Sequence, residues 1–368
     1  MKVLTQFEKS ECFFSNPEFI ISCFDPSLMA ACFEEMEQAL SRGHYLAGFL
    51  SYEAGYSFEE KFFPSKTYDF PLLYFGVYKK PQRHITGLAG HRLQQFPENL
   101  RLDIKYDEYS LNINTIRDYI AKGDVYQITY CIKLLFDFCG PAFSLYKQLL
   151  KEQLVPYPAY IQTEDFNILS LSPELFLKKE STRIMTRPMK GTWARGQGMF
   201  SDLVSPLRLK YDLKNRAENV MIADLLRNDL GRLALDIKAP RLFEVARYKT
   251  LCQMTSTVTA KIDRDISIYR LFASLFPSGS VSGAPKIRAM QIIRELEKEE
   301  RKIYTGAIGY ITPGKDMFFN IPIRTLLIRG NCGQMGIGGG IVWDSTSDGE
   351  WNEGLLKAKF LTDLVKND

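Results

Sequence analysis

The chain has 368 residues, 45% hydrophobic and 24% charged, with a net charge of +4. That is enough for a sizeable core in one large domain or two ordinary ones. Its mild charge, scattered among nearly as many acids, excludes the concentrated basic stripe of a nucleic-acid binder. No window approaches eighteen uninterrupted apolar residues, so no membrane span is expected, and the amino terminus lacks a secretory signal. Seven widely spaced cysteines without a CxxC pair read as free thiols in a reducing cytoplasm.

Residues 44–52 and 72–79 have strand composition, and 80–104 reads as an exposed connection. Residues 106–122 read as a helix stopped at Gly123. From Tyr126 to Phe136 the chain alternates, with Ile128, Tyr130 and Ile132 on one face and Gln127, Thr129, Cys131 and Lys133 on the other. Further strand-like pieces follow at 158–163, 167–171, 175–179 and 183–187. Helical spacing over 211–230 ends at Gly231, a candidate C-cap. Pro285 precedes a second helical pattern of Ile287, Met290, Ile293 and Leu296. Segments 303–311, 318–328 and 335–343 read as strands, and a terminal helix is expected from about Glu350. Strands come in groups rather than alternating with helices, which favours α+β with large antiparallel sheets.

All three histidines (His44, His84, His91) lie in the first quarter. Histidine-based triads and zinc sites are therefore not expected in the rest, where carboxylates, lysines and arginines must act. Glu218 is an acid on an otherwise apolar helical stretch. Glu350, Glu353 and Lys357 share one helical side. Carboxylates from separate helices are a usual way to hold Mg2+, although Glu353–Lys357 taken alone reads as an i,i+4 surface salt bridge. The Gly-rich runs GIGGGI (336–341) and GSVSGAPK (279–286) fit neither a dinucleotide fingerprint nor a P-loop, and alone read as tight turns. Lys190 lies between Met189 and Gly191 in TRPMKGTWARG, sixteen residues after Glu174 in SPELFL.

Taken together, SPELFL, TRPMKGT, AENVMIADLLRNDLGR, FPSGSVSGAPKIRAM, YTGAIGY, IPIRTLLI, GIGGGIVWDS and EWNEGLLKAK resemble the chorismate-utilising enzymes in order and spacing. These include anthranilate, aminodeoxychorismate, isochorismate and salicylate synthases. The match runs from about residue 105 to the end, and the first hundred residues match more loosely through GFLSYEAGYSFE. The resemblance implies an α/β sandwich of two interleaved subdomains, with facing antiparallel sheets and a central cleft. Residues 1–100 would form its amino-terminal part and 105–368 its chorismate-binding catalytic region, within one interleaved domain.

The resemblance also implies site roles. Glu218 and Glu353 would ligate Mg2+, with Glu350 acting through water. Tyr304, Arg324, Lys357, Gly191, Thr192 and the backbone at Gly338 and Gly340 would hold the dianionic substrate. Gln127 stands where the water-adding members carry a lysine base. Lys190 stands where most relatives carry alanine and the C4-aminating members carry lysine. The implied reaction is amination of chorismate to 4-amino-4-deoxychorismate, for p-aminobenzoate and folate, with anthranilate formation as the alternative. Lys190 would attack C2 and Glu174 would protonate the leaving hydroxyl. This requires a lysine lowered from ~10.4 to roughly 7–8 and a carboxyl held protonated near neutrality. Ammonia is expected from a separate glutamine amidotransferase subunit, because a Cys–His glutaminase cannot be assembled here.

Overall fold

The computed structural model describes every residue except 9, 60–62, 64–65, 89–94, 195–197, 248–250 and 367–368. His91 and part of the expected 80–104 connection lie outside the described residues. Two antiparallel sheets dominate. The nine-stranded sheet runs Gly283–Ala284, Gln127–Asp137, Cys332–Ile341, Thr325–Arg329, Asn167–Ser172, Tyr157–Gln162, Lys2–Phe7 and Ser10–Ser15, with Glu98–Leu102 also on Gln127–Asp137. The ten-stranded sheet runs Met189–Ala194, Leu251–Lys261, Arg183–Arg187, Leu175–Glu180, Met317–Asn320, Ala307–Ile311, Tyr45–Leu50, Leu73–Tyr78 and Phe19–Cys23. Leu235–Arg247 pairs with Leu251–Lys261 as a further strand. Both sheets draw strands from both ends of the chain, so neither closes until the last third has been added. This is the α+β architecture expected from the sequence.

The sheets face each other across a core that is rich in aromatic residues. Phe7 and Phe14 of one sheet pack with Ala47, Phe49 and Phe318 of the other, and the Phe7 and Phe318 rings are 4.8 Å apart. Ring pairs of this kind add to the large area each aromatic side chain buries. Helices cover the outer faces through a second cluster that includes Phe33, Ile113, Leu145, Phe272, Met290 and Leu361.

The expected strand at 126–136 forms, but its polar face is not solvated. Gln127 is 0% exposed, Thr129 6% and Lys133 7%, and Thr129 on that side lines the cleft. Lys133 is satisfied there by Glu299 at 2.6 Å. The strands Lys2–Phe7, Ser10–Ser15 and Leu251–Lys261, and the helices Met29–Ser41 and Ala142–Glu152, had no expectation in the sequence. The first two strands show no two-residue alternation, whereas Leu251–Lys261 does alternate, Cys252, Met254, Val258 and Ala260 against Gln253, Thr255, Thr257 and Thr259, and that signal was missed. The 80–104 connection contains a strand, Glu98–Leu102.

Candidate active site

A cleft of about 320 Å3 opens between the sheets, within the range of small-ligand sites. One wall is the helix Leu213–Gly231. Asp212 caps it, accepting from the Asn215 backbone N–H at 2.8 Å and from its side-chain amide at 2.7 Å. Its first two turns bring Lys214, Asn215 and Glu218 to the cleft. Asn219, 1% exposed, donates to the Lys190 carbonyl at 3.2 Å and accepts from Ser256. At its far end Asp229 meets Lys286 at 2.6 Å. The opposite wall is the glycine strand Cys332–Ile341, backed by the terminal helix that carries Glu350, Glu353 and Lys357.

Glu174 sits at the floor, 2% exposed, just after the strand Asn167–Ser172. Its Oε1 accepts from the Ser280 hydroxyl at 2.7 Å and the Met189 N–H at 3.3 Å. Burial pushes its carboxyl up to about 7, against the opposing pull of Ser280 and Lys190. It therefore gains and loses its proton around neutral pH. Lys190 lines the same cavity. Burial lowers its amine, while Glu218, Glu174 and Glu353 pull it back up and Lys357 adds to the lowering. The pairing of the strand Met189–Ala194 is irregular around Gly191, whose φ is +98° and where a Cβ would come within 3.1 Å of Asn215 Oδ1.

The carboxylates Glu218, Glu350 and Glu353 all line the cleft. Burial raises Glu218 and Glu350, and the negative charge of Glu353 raises both further. Glu353 itself is lowered, chiefly by Lys357 at 2.8 Å. Glu350 accepts from the Ser345 hydroxyl at 2.6 Å. At Gly339 the missing side chain leaves a cradle. A Cβ there would lie 2.9 Å from Glu350 Oε2 and 3.7 Å from Glu353 Oε1. Among the described residues, no three His, Cys, Asp or Glu side chains stand close enough together to hold an ion between them. A donor set of this kind suits a hard cation that keeps most of its waters and takes only one or two carboxylates.

The remaining expected residues converge on the same space with different engagements. Tyr304 and Arg324 line the cavity, but the Tyr304 hydroxyl shares a hydrogen bond with the Cys131 thiol and its ring lies against Gly336. Arg324 is 6% exposed on a backbone with φ +52°. Lys357 Nζ donates to the Gly338 carbonyl at 2.7 Å. Gly340 must lack a side chain because Gln127 Nε2 occupies that place, and Lys190 Nζ would lie 3.0 Å from such a Cβ. The Gln127 amide is buried, with neither its oxygen nor its nitrogen hydrogen-bonded among the described residues. Thr192 lies on the Lys190 strand with its backbone paired to Gln253, and its side chain lies outside the described residues. Sequence reasoning missed Ser280, Asn219 and Lys214. The signal for Ser280 was the GSVSGAPK run, read alone as turns, and nothing local marked the others.

The chain matches known proteins along nearly its whole length. The profile of the family described as chorismate binding enzyme covers residues 8–363. A probable chloroplastic aminodeoxychorismate synthase of Oryza sativa subsp. japonica is 39% identical over 267 residues, 71% of this chain and 30% of that protein. Aminodeoxychorismate synthase component 1 of Escherichia coli is 36% identical over 263 residues, 71% of this chain and 58% of that one. Anthranilate synthase component 1 of Aquifex aeolicus is 35% identical over 271 residues, 73% and 55% of the two chains. The aligned stretch thus spans under two thirds of each of these relatives. Among solved structures, anthranilate synthase component I of Streptococcus pneumoniae superposes with a TM-score of 0.78 at 23% identity, covering 98% of this chain and 90% of that one. The menaquinone-specific isochorismate synthase of E. coli gives 0.80 at 16% identity, covering 99% and 88%. At those identities the superpositions establish the fold. With the family profile matched from residue 8 to residue 363, this chain belongs to the chorismate-binding enzymes.

Proposed function

We propose that the chain is the synthase subunit that aminates chorismate at C4, making 4-amino-4-deoxychorismate with ammonia from a separate glutamine amidotransferase subunit. The observation that carries this reading is Lys190, a cleft-lining amine lowered by burial, in the same cavity as a carboxyl raised to about 7. The reaction runs in two displacements. The neutral Lys190 amine attacks C2 of chorismate, the ring double bond shifts, and the C4–O bond breaks. Glu174 gives its proton to the departing hydroxyl, so water leaves, and it recovers a proton from the new secondary ammonium. Ammonia then attacks C4 as the C2–N bond breaks; Glu174 gives its proton to the departing lysine nitrogen, so Lys190 is released as the amine, and recovers one from the new C4 ammonium. The net change replaces hydroxyl by amine and releases one water.

Glu218 and Glu353 would hold Mg2+, with Glu350 reaching it through water. When bound, the cation supplies charge neutralisation for a substrate carboxylate. Arg324, Lys357 and Lys214 bring further positive charge to a dianionic substrate, and the backbone at Gly338 and Gly340 offers close approach. Gln127, being neutral, cannot act as a base toward water. The Aquifex relative keeps anthranilate formation as the second reading. The test is to supply the purified chain with chorismate, Mg2+ and ammonium and identify the product by mass and fluorescence. Wild type is expected to give non-fluorescent aminodeoxychorismate, and Lys190→Ala to lose C4 amination. Fluorescent anthranilate from wild type, or C4 amination by Lys190→Ala at the wild-type rate, refutes the reading.

A further inference from the structure

Arg301 has no part in the chemistry above, yet its side chain ties the cleft together. It is 3% exposed. Its Nε donates to Glu297 Oε2 at 2.8 Å, and Nη2 donates to Glu297 Oε1 at 2.6 Å. The other three N–H groups go to three separate segments of the cleft wall. Nη2 reaches the Thr129 carbonyl at 2.6 Å, and Nη1 reaches the Val281 carbonyl at 2.8 Å and the Thr305 hydroxyl at 3.2 Å. Thr129, Val281 and Thr305 all line the cavity. All five guanidinium donors are thus used, a fork that no lysine can reproduce.

The fork is itself held from behind. Glu53 is 3% exposed and accepts the backbone N–H groups of Arg301 at 2.7 Å and Lys302 at 3.1 Å. The Tyr52 ring lies 4.4 Å from the guanidinium carbon. Glu297 also accepts the Cys131 N–H at 2.9 Å. The SYE segment near the amino terminus, to which the sequence assigned no chemistry, is therefore in contact with the cleft through Arg301.

Each of the three clamped residues neighbours a group with work to do. Val281 follows Ser280, the hydroxyl that donates to Glu174. Thr305 follows Tyr304, and its N–H donates to the Pro322 carbonyl at 3.2 Å, two residues before Arg324. Thr129 lies between the unpartnered Gln127 amide and Cys131. We propose that Arg301, held by Glu53 and Glu297, is a positioning residue that locks these three segments in register, fixing Ser280 on Glu174 and the Tyr304–Arg324 side against the substrate. The role does not depend on whether the amine enters at C2 or C4.

The test uses Arg301→Lys, which keeps the charge and loses the fork, and Glu53→Gln, which weakens its support. Steady-state rates and their pH dependence are measured with ammonium as donor. Amide hydrogen exchange is followed over 127–133 and 279–285. The expected result for Arg301→Lys is a kcat lower by roughly 10- to 100-fold with a smaller change in KM, since small misplacements cost rates of that order. The alkaline limb governed by Glu174 should shift, and both segments should exchange faster. Glu53→Gln should move the same readouts less. If Arg301→Lys does not fold, the double variant Arg301→Met/Glu297→Met replaces the pair with apolar side chains, an exchange buried ion pairs commonly tolerate. A folded variant with kcat within about twofold of wild type, an unmoved limb and unchanged exchange overturns the proposal. So does unfolding of every variant, which would make the cluster a stability element. Wild-type product identity, recorded in the same assays, separates this outcome from a failure of the proposed chemistry.

Discussion

Glu174→Gln tests the buried acid in two ways at once. The rise from its ordinary 4.5 to about 7 corresponds to about 3 kcal/mol at 1.36 kcal/mol per pKa unit. The folded chain binds this proton more tightly than the unfolded chain does. Wild-type stability should therefore fall as pH rises from about 4.5 and level off above about 7. Glutamine has no proton to lose, and its oxygen can still accept from Ser280 and the Met189 N–H. The variant should be stabilised relative to wild type by up to about 3 kcal/mol at pH 8, and by much less at pH 5. Thermal or denaturant unfolding of both proteins at the two pH values measures the difference. Activity should fall by roughly 10²–10⁴, because an amide cannot protonate the departing hydroxyl, and the alkaline limb near pH 7 should vanish from the rate profile. A stability difference that is the same at both pH values would refute the reasoning, as would an alkaline limb that persists in the variant.

Two further substitutions address the scaffold of the site. Gly191→Ala forces a side chain onto a residue with φ +98° and within 3.1 Å of Asn215 Oδ1, so it should cost about 1–2 kcal/mol or more and raise the KM for chorismate. Unchanged melting and KM would show that the strand relaxes freely there. Asp229→Asn leaves Lys286, only 14% exposed, without its counter-charge at 2.6 Å and should cost about 3–5 kcal/mol by denaturant unfolding. The apolar double variant Asp229→Leu/Lys286→Met should recover most of that loss.

Long periodic segments were legible because their pattern repeats. The helix ending at Gly231, the terminal helix and the strand from Gln127 appear within a few residues of their expected places. The amino-terminal hairpin was not, because KVLTQF and SECFFS show no two-residue alternation. The carboxylates, Lys190 and the glycine run were legible as chemical types at fixed spacings. Their engagements were not, since the Tyr304 contact with Cys131 joins residues far apart in the chain, and the Lys357 bond to the Gly338 carbonyl depends on how the terminal helix packs on the glycine strand.

The sequence by itself determined which groups can react: an amine at 190, a carboxyl at 174, three further acids, and no histidine beyond 91. Only the tertiary structure decided their states. Burial, which depends on how two sheets close over each other, lowers the amine, holds the proton on Glu174, and turns the polar face of Gln127 and Thr129 inward. Local spacing carries no record of desolvation, because the groups that cover Glu174 include Ser280, 106 residues away in the chain.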